Sequence, residues 1–303
     1  MTRRPERASV AVEAGLRATR PRDLAPSIRS ALGDAVNGRP KLLLFLVALA
    51  TLPLLAVNFV GLAQTTIWLL RYGGWGGDWL NLLGLSVADP YAIGAYRWSP
   101  PAAWIWSTLI VPIGLPAWQL VHLVALALIR DWRVIAVALL TWAFWEDLAN
   151  GNVMTFVFVS AWWALRGSRT GTVAFLALSV LVPRPLMLPV LVWLLYRRPG
   201  ARICFGAFVL IVIGLSVAAG QADAWVARLV VTGRDELTVV WNIGPSRLLG
   251  ATWVPIGATL ALLLAWKGWL GLSSVIVSPY LFHYYMLMGL LDLRRVVDRR
   301  PSG

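Results

Sequence analysis

Apolar stretches separated by short polar breaks make up nearly the whole chain between residues 41 and 293. Several are long enough to cross the roughly 30 Å hydrocarbon core of a bilayer as helices. Hydrophobic residues account for 59% of the sequence and charged residues for only 14%, and the mean hydropathy is +0.71, which does not describe a soluble domain. The sequence therefore predicts an all-α fold and a polytopic helical membrane protein.

The positive charge of the chain follows the pattern of a membrane protein rather than that of a nucleic-acid-binding protein. The formal net charge is +13, but the arginines gather at the two termini and in short connections, where the positive-inside rule places them. We therefore expect no nucleic-acid partner, a multi-pass location in the cytoplasmic membrane and a cytoplasmic N-terminus. The single cysteine, Cys204, has no second thiol to pair with. We expect no metal and no cofactor.

The same charge pattern divides the chain into a basic cytoplasmic tail, one membrane domain and a second cytoplasmic tail. The stretch 102–129 contains a break at Pro112, Gly114 and Pro116, so it is either one kinked span or a surface helix followed by a span. The predicted segments are the N-terminal tail 1–40, the membrane domain 41–293 with a first span at 41–64, outer loops near 70–101 and 220–248, later spans at 201–219 and 249–266, and the C-terminal tail 294–303.

Three further stretches carry a polar break in the middle of an apolar run and basic residues at both ends. If both ends are cytoplasmic, each stretch is a hairpin of short broken helices whose polar tip points outward. Irregular backbone at membrane depth is tolerated only where protein buries it or where it lines a watery cavity. We therefore expect the tips to converge on one outward-facing cavity, although the last stretch could also be a single span with an external C-terminus. The three breaks are 146–152, Pro183-Arg184-Pro185, and Ser278-Pro279-Tyr280 followed by His283.

Two acidic residues, Asp78 and Asp89, interrupt the chain just after its first predicted span. A carboxylate beside hydrocarbon costs kilocalories unless it is solvated or paired, so an acid at this boundary indicates a functional site. The sequence has no glycine-rich phosphate loop, no metal-ligand histidine spacing and no nucleophile elbow. Any chemistry must therefore come from dispersed polar residues.

Six short motifs occur in order over roughly residues 41–293. They are Gly77-Asp78-Trp79 with Asp89-Pro90-Tyr91, Tyr96-Arg97-Trp98-Ser99-Pro100-Pro101, Gly151-Asn152, Pro183-Arg184-Pro185, Asn242-Ile243-Gly244-Pro245-Ser246, and Ser278-Pro279-Tyr280-Leu281-Phe282-His283. Together they resemble the motifs of glycosyltransferase family 87. The resemblance implies the GT-C fold of polytopic enzymes, a polyprenyl-phosphate-linked mannose donor and a glycan or glycolipid acceptor, with membrane lipids around the enzyme and transfer on the outer side of the cytoplasmic membrane. Arg184 stands where the family has a lysine, Asn152 stands where it has a glutamine, and the chain is short for the family.

The chemistry of sugar transfer assigns roles to the acids of the first outer loop. Transfer with inversion needs a base for the acceptor hydroxyl and a cation for the departing phosphate, but no covalent nucleophile. Asp78 is the candidate base, and the alternative is a loop carboxylate without a catalytic role. Asp89 precedes Pro90 and suits a helix cap or an acceptor contact better than catalysis.

The basic candidates are Arg184 and His283, both of which we assign to the donor phosphate. For Arg184 the alternative is a structural salt bridge to Glu146 or Asp147, and for His283 it is a packed, hydrogen-bonded core position. His122, in a plain apolar run, is expected to be structural. The residues expected to contact the acceptor or to line the cavity are Asp89, Tyr96, Arg97, Glu146, Asp147, Asn152 and Asn242.

Two non-enzymatic functions compete with the glycosyltransferase prediction. A transporter or flippase for a lipid-linked anion would also place an arginine between broken helices, and a scaffold subunit would need no chemistry of its own. A transporter should distribute ionisable residues through the depth of the membrane, whereas the sequence gathers them at one face. This distribution favours an enzyme.

Overall fold

The computed structural model describes residues 77–92, 96–235 and 242–298. Every regular element in these ranges is helical, which confirms the all-α prediction for this part of the chain. The predictions for the tail 1–40 and the span 41–64 lie outside the described residues. The same holds for 299–303 in the C-terminal tail and for the loop segments 70–76, 93–95 and 236–241.

The described helices are short and are interrupted by tighter or wider helical turns. A π-helical turn covers Trp106–Ile110, and 3₁₀ turns cover Pro90–Ala92, Val111–Ile113, Pro185–Met187, Gly250–Thr252 and the longer segment His283–Leu293. The α-helices are α1 (Gly77–Leu83), α2 (Pro100–Ile105), α3 (Leu115–Ala127), α4 (Trp132–Leu140), α5 (Trp142–Asn150), α6 (Met154–Leu165), α7 (Arg169–Leu181), α8 (Leu188–Arg197), α9 (Pro199–Ala218), α10 (Ala222–Asp235), α11 (Ser246–Leu249), α12 (Trp253–Trp266), α13 (Leu270–Val277) and α14 (Arg294–Val297).

Two described helical stretches, Pro199–Ala218 and Ser246–Trp266, are long and apolar enough to cross a membrane. A third candidate span exists if Pro100–Ile113 and Leu115–Ala127 count as one, but these two pieces meet at an angle of 103°. Gly114 lies at the bend with φ 81°, a conformation that favours glycine. A bend of this size is a break, so the two pieces form either one broken span or a re-entrant segment.

The segment 220–248, predicted to be an outer loop, contains helix α10. This helix runs for 14 residues from Ala222 and takes up about half of the expected loop. Its side chains reach back to the first outer loop, because the Arg228 guanidinium donates to the Tyr91 carbonyl oxygen at 3.0 Å. Just before α10, the Gln221 amide donates to the carbonyl oxygens of Val87 and Ala88. The two segments predicted to be outer loops are therefore packed together.

The connections that carry the basic residues meet at one end of the described helices, which we call the basic end (128–133, 164–172, 197–199, 267–272 and 292–298). Arg198 donates to Thr172 Oγ1 at 2.6 Å and to the Ala164 carbonyl oxygen at 2.8 Å. Asp292 accepts hydrogen bonds from the amides of Gly271 and Leu272. These contacts bring together the two ends of two of the three predicted hairpins, those with breaks at Pro183-Arg184-Pro185 and at Ser278-Pro279-Tyr280.

Helix α6 lies at the centre of the fold. Nine of its twelve residues are buried, as expected for a helix that is apolar on all sides. Its neighbours are α3, α5, α7, α8 and the 3₁₀ segment His283–Leu293. A second, smaller core consists mainly of aromatic side chains beneath the first outer loop, and we call it the aromatic cluster (Trp79, Tyr91, Tyr96, Trp106 and Trp118).

The start of α6 depends on Asp147, whose side chain is completely buried. Its carboxylate accepts from the amides of Met154 (3.0 Å) and Thr155 (2.7 Å) and from Thr155 Oγ1 (2.6 Å). Amides in the first turn of a helix have no partner within the helix, and a side-chain acceptor satisfies them. Asp147 is therefore the N-terminal anchor of α6 and not an open cavity residue.

We predict that Asp147→Ala lowers the free energy of unfolding by about 2 kcal/mol or more, since each buried donor left without an acceptor costs ~1–3 kcal/mol. Asp131→Ala is the matched control, because Asp131 caps α4 through a single hydrogen bond from the Arg133 amide at the protein surface. Its expected cost is about 1 kcal/mol. Unfolding in detergent compares the two variants, and a larger loss for Asp131→Ala would contradict the assignment.

Candidate functional site

Three predicted site residues from three separate segments meet in one hydrogen-bonded chain. Asn152 Nδ2 donates to Asp78 Oδ2 at 2.5 Å, and Asn152 Oδ1 lies 3.3 Å from Arg184 Nη2. Asp78 belongs to α1, Asn152 to the turn between α5 and α6, and Arg184 to the break before α8. The structure therefore brings together an acid, an amide and a cation that are far apart in the sequence.

The orientation of the Asn152 amide is fixed by its neighbours. Its Oδ1 also accepts from the Val153 amide at 2.7 Å, so the oxygen faces the two donors and the NH₂ group faces the carboxylate. Only 2% of Asn152 is exposed. Asn152 thus lies between Asp78 and Arg184 and holds the two charged groups at a defined separation.

Helix α3 holds the turn that carries Asn152. The Trp118 indole N–H donates to the Gly151 carbonyl oxygen at 2.9 Å, and His122 Nε2 lies 2.7 Å from the Asn152 carbonyl oxygen. Trp118 and His122 are four residues apart and share one face of the helix. The structural role expected for His122 is therefore the positioning of this turn.

Gly151 is needed in the turn for two reasons. Its φ is +69°, in the left-handed region, and an added Cβ would lie 3.1 Å from Leu115 Cδ1 and 3.3 Å from Trp79 Cβ. A larger residue would be strained in this backbone conformation. It would also crowd Trp79 of α1 and Leu115 of α3, which pack against the turn. The Gly151-Asn152 pair can therefore approach Asp78 closely only with glycine in the first position.

Arg184 is held from the other side by Tyr285. Its Nη1 donates to the Tyr285 hydroxyl oxygen, and its guanidinium carbon lies 5.2 Å from the centroid of the Tyr285 ring. The Nε–H of Arg184 is buried and has no acceptor within the part of the chain that the structure describes. Arg184 is thus a fixed cation with an unused donor, which suits an anion that carries several oxygens.

The alternative salt bridge from Arg184 to Glu146 or Asp147 is not observed among the described residues. Asp147 anchors α6, and Glu146 Oε2 lies 3.3 Å from His283 Nδ1. The Nδ1 side of the His283 ring therefore faces a carboxylate. The assignment of His283 to the donor phosphate stays a prediction. His283 lies on the same 3₁₀ segment as Tyr285.

Asn242 and Tyr96, both expected to line the cavity or to contact the acceptor, have structural positions. Asn242 is fully buried, and its Oδ1 accepts from the amides of Gly244 (2.8 Å) and Leu281 (2.9 Å). Tyr96 is 1% exposed and donates its hydroxyl to the Ser99 carbonyl oxygen at 2.6 Å. Asn242 thus fixes the break before His283, and Tyr96 fixes the loop before α2.

Asp89 and Arg97 lie at different depths in the first outer loop. Asp89 is exposed and directly precedes the 3₁₀ turn at Pro90, where a capping residue is expected, but its side chain makes no hydrogen bond to the described residues. Arg97 is half-buried and close enough to Tyr280 and Tyr285 to interact with them electrostatically. Arg97 therefore lies close to the contact between Arg184 and Tyr285, whereas Asp89 is exposed.

Tyr285 is the site residue that sequence reasoning missed. No sequence motif singles it out, yet it is fully buried and contacts Arg184 directly. Tyr280 and Tyr284 pack against it with ring centroids 6.1 and 5.0 Å away. The available signal was the concentration of three of the seven tyrosines of the chain beside the Ser-Pro break.

The electrostatic surroundings of Asp78 favour its protonated form. Burial raises the pKa of the Asp78 carboxyl above its ordinary value of 3.8, while the Arg184 guanidinium and the hydrogen bond from Asn152 act in the opposite direction with smaller effect. The nearby acids Asp147 and Glu146 raise it further. A raised pKa brings a carboxylate closer to the range in which it can accept a proton efficiently.

If Asp78 acts as a base, activity should require its ionised form, so kcat/KM should rise with pH through a pKa above 3.8. Asn152→Ala removes a hydrogen bond that lowers this pKa, so the same rise should occur at higher pH in that variant. The pH profile of kcat/KM in the two proteins measures both effects. An unchanged or lower midpoint in Asn152→Ala would contradict the assignment of this group to Asp78.

The described residues contain no group of three or more histidine, cysteine, aspartate or glutamate side chains that could hold a metal ion. What they define is a helical protein with two or three candidate membrane spans and a buried polar cluster of one acid, one amide and one arginine. Comparison with family models, with curated proteins and with solved structures finds no match for this chain.

Proposed function

We propose that this chain is a multi-pass membrane glycosyltransferase with a GT-C-like fold. It transfers a sugar, mannose by the resemblance to family 87, from a polyprenyl-phosphate donor to a glycan or glycolipid acceptor on the outer face of the cytoplasmic membrane. The observation that carries the proposal is the chain of contacts from Asp78 through Asn152 to Arg184, with an acid at one end and a cation at the other.

In this reaction Asp78 takes the proton of the acceptor hydroxyl while that oxygen forms a bond to C1 of the sugar. The bond between C1 and the phosphate oxygen breaks, and the electron pair leaves with the polyprenyl phosphate. Arg184 stabilises the negative charge that develops on this phosphate, using donors such as its unpartnered Nε–H. No covalent intermediate is needed, so the configuration at C1 inverts.

The positions of the two charged groups are fixed before any substrate binds, which supports an enzyme. Asp78 accepts a hydrogen bond from Asn152, which is held by α3 and by its own turn. Arg184 is held by Tyr285. Donors that are already oriented need no reorganisation during the reaction and are therefore more effective in catalysis. A transporter or flippase, by contrast, should have its ionisable residues distributed along a path through the membrane.

The proposed topology places the Asp78 cluster outside and the basic end in the cytoplasm. In a variant without Cys204, single cysteines introduced near Asp78, Asn152, Pro185 and Asn242 should react with an impermeant thiol reagent in intact cells. Cysteines near Arg166 and Arg198 should react only after the membrane is permeabilised. Labelling of the Asp78 region only from the cytoplasmic side would contradict a site on the outer face.

The activity itself is tested with purified protein and a lipid extract that contains potential acceptors. Incubation with a polyprenyl-phosphate donor carrying radiolabelled mannose should move label into a product of new mobility and release polyprenyl phosphate in equal amount. Label that crosses a sealed proteoliposome while it stays on the donor would indicate a flippase instead. The two outcomes separate the enzyme from its main alternative.

A further inference from the structure

A long apolar groove of about 840 Å³ lies between α2–α3 on one side and α6 and α7 on the other. Helix α7 contributes residues three or four positions apart, Gly171, Ala174, Leu178 and Leu181, which form one stripe along its face. Because α7 has 13 residues, the groove extends for about 20 Å. This exceeds the depth of one membrane leaflet, about 15 Å.

The polar lining of the groove is concentrated at the basic end. Arg130 is the one charged side chain among the described residues that line it, and the hydroxyl residues Ser168 and Thr170 lie at the same end, where α7 begins. The walls between this end and Leu181 are almost entirely aliphatic and aromatic. The groove therefore has the polarity of an amphiphile with a negative head and an apolar chain.

Arg130 occupies a backbone position at which glycine is favoured. It has φ 57° and is the one non-glycine residue with positive φ in the described ranges. It follows the end of α3, where its amide bonds to the Ala127 carbonyl oxygen, and helices commonly place glycine in this conformation there. An arginine in a strained position points to a use for its side chain.

The charge of Arg130 is not satisfied within the described residues. Its guanidinium makes no hydrogen bond or ion pair there, although the acid Asp131 is its neighbour in sequence. The Asp131 carboxylate caps α4 through the Arg133 amide at 3.0 Å. Arg130 is exposed and is therefore available to an anion at the end of the groove.

We propose that this groove binds an anionic phospholipid, with one acyl chain between α3, α6 and α7 and the phosphate at Arg130. The lipid head lies at the basic end, where the hydroxyls of Ser168 and Thr170 lie 3.0 Å apart and leave one hydroxyl proton for the phosphate. The head-group site at Arg130 lies at the end of the groove opposite Val153, the neighbour of Asn152, and does not depend on the proposed sugar transfer.

The other end of the groove is less suited to a charged head. There the Ser99 amide and hydroxyl both donate to the Leu181 carbonyl oxygen at 3.0 Å, which ties the first outer loop to the end of α7. Trp98 and Trp106, which line that end, pack edge to face at 5.1 Å. The occupant therefore enters with its head at Arg130 and its chain directed toward the aromatic cluster.

The test measures thermal unfolding of the full-length protein in detergent with added phosphatidylglycerol or phosphatidylcholine carrying the same acyl chains. A ligand that binds only the folded state raises the melting temperature. Phosphatidylglycerol should raise it by several degrees more than phosphatidylcholine in the wild type. Arg130→Gly should lose this difference, and Arg130→Lys should keep most of it. Because glycine relieves the backbone strain at this position, the loss in Arg130→Gly would not be a folding defect.

Two further variants separate the groove from general lipid effects. Arg133→Gln removes a cation of the basic end that stacks on Trp132 outside the groove, and it should retain the difference. Ala177→Trp fills the groove and should abolish the response, with Ala177→Leu as a milder substitution if the first variant folds poorly. An equal response to both lipids in the wild type would overturn the proposal. A full difference between the two lipids in Arg130→Gly would also overturn it. Loss of that difference in Arg184→Gln but not in Arg130→Gly would overturn it as well, because the lipid would then have its head at the polar cluster.

Discussion

Asp78→Asn should reduce sugar transfer about a hundredfold or more, because it removes the charge that accepts the proton from the acceptor hydroxyl. The substituted side chain keeps the size of the original and can still bond to Asn152 after its amide reorients, so the fold should be retained. Binding of the donor should change little, since the proposed phosphate contact is Arg184. Initial rates with a radiolabelled donor, together with donor binding in the absence of acceptor, measure the two effects separately.

Asp89→Asn is the matched control for this substitution. It changes an acid of the same loop in the same way, but Asp89 is exposed and makes no hydrogen bond to the described residues, so we expect a much smaller loss. If Asp78→Asn works at nearly the wild-type rate and Asp89→Asn is inactive, the roles of the two acids are reversed. If both variants are fully active, the first outer loop does not supply the base.

Arg184→Ala should reduce donor use by roughly 10²–10³-fold, the usual effect of removing a group that stabilises charge in the transition state. Arg184→Lys should retain more activity, because a lysine keeps the positive charge and because lysine is the residue that family 87 has at the corresponding position. The dependence of the rate on donor concentration measures this difference.

Tyr285→Phe provides the control for the position of Arg184. It removes the hydroxyl that accepts from Nη1 but keeps the aromatic ring under the guanidinium, so its effect should be smaller than that of Arg184→Ala. Equal losses in Arg184→Lys and Arg184→Ala, with both proteins folded, would mean that the planar geometry of the guanidinium matters more than its charge. Arg184 would then be a structural partner of Asn152 and Tyr285.

The meeting of Asn152 and Arg184 could be predicted because it follows from the position of polar breaks in apolar runs. Each break lies about halfway between two basic connections, so the breaks must lie at similar depth if the connections share one face. The bonds from Arg198 to Thr172 and from Asp292 to Gly271 show that the ends of two of these stretches do lie together. The spacing of charges thus carried information about contacts between distant residues.

The individual partners could not be predicted in the same way. Glu146 and Asp147 are adjacent on α5, and neighbouring helical residues point about 100° apart, so one reaches His283 and the other the start of α6. Tyr285 lies in a 3₁₀ segment, where the rotation per residue differs from that of an α-helix. The usual α-helical spacing therefore does not show that its hydroxyl faces Arg184.

Helix α10 was missed for a different reason. Its residues include Asp223 and Arg228, and charged residues between two apolar spans were interpreted as a loop. These charges lie on a helix that packs against the first outer loop, where the Arg228 guanidinium bonds to the Tyr91 carbonyl oxygen. Charge alone does not distinguish an exposed loop from a helix that covers another segment.

The most direct test of the proposed function is a comparison of the purified wild-type protein with Asp78→Asn in one transfer assay. Both proteins receive the same polyprenyl-phosphate donor carrying radiolabelled mannose and the same acceptor extract, and equal thermal unfolding shows that both are folded. The proposed function predicts a labelled product with the wild type and an amount of product lower by about a hundredfold or more with Asp78→Asn. Equal product formation by the two proteins, or no product with either, would contradict it.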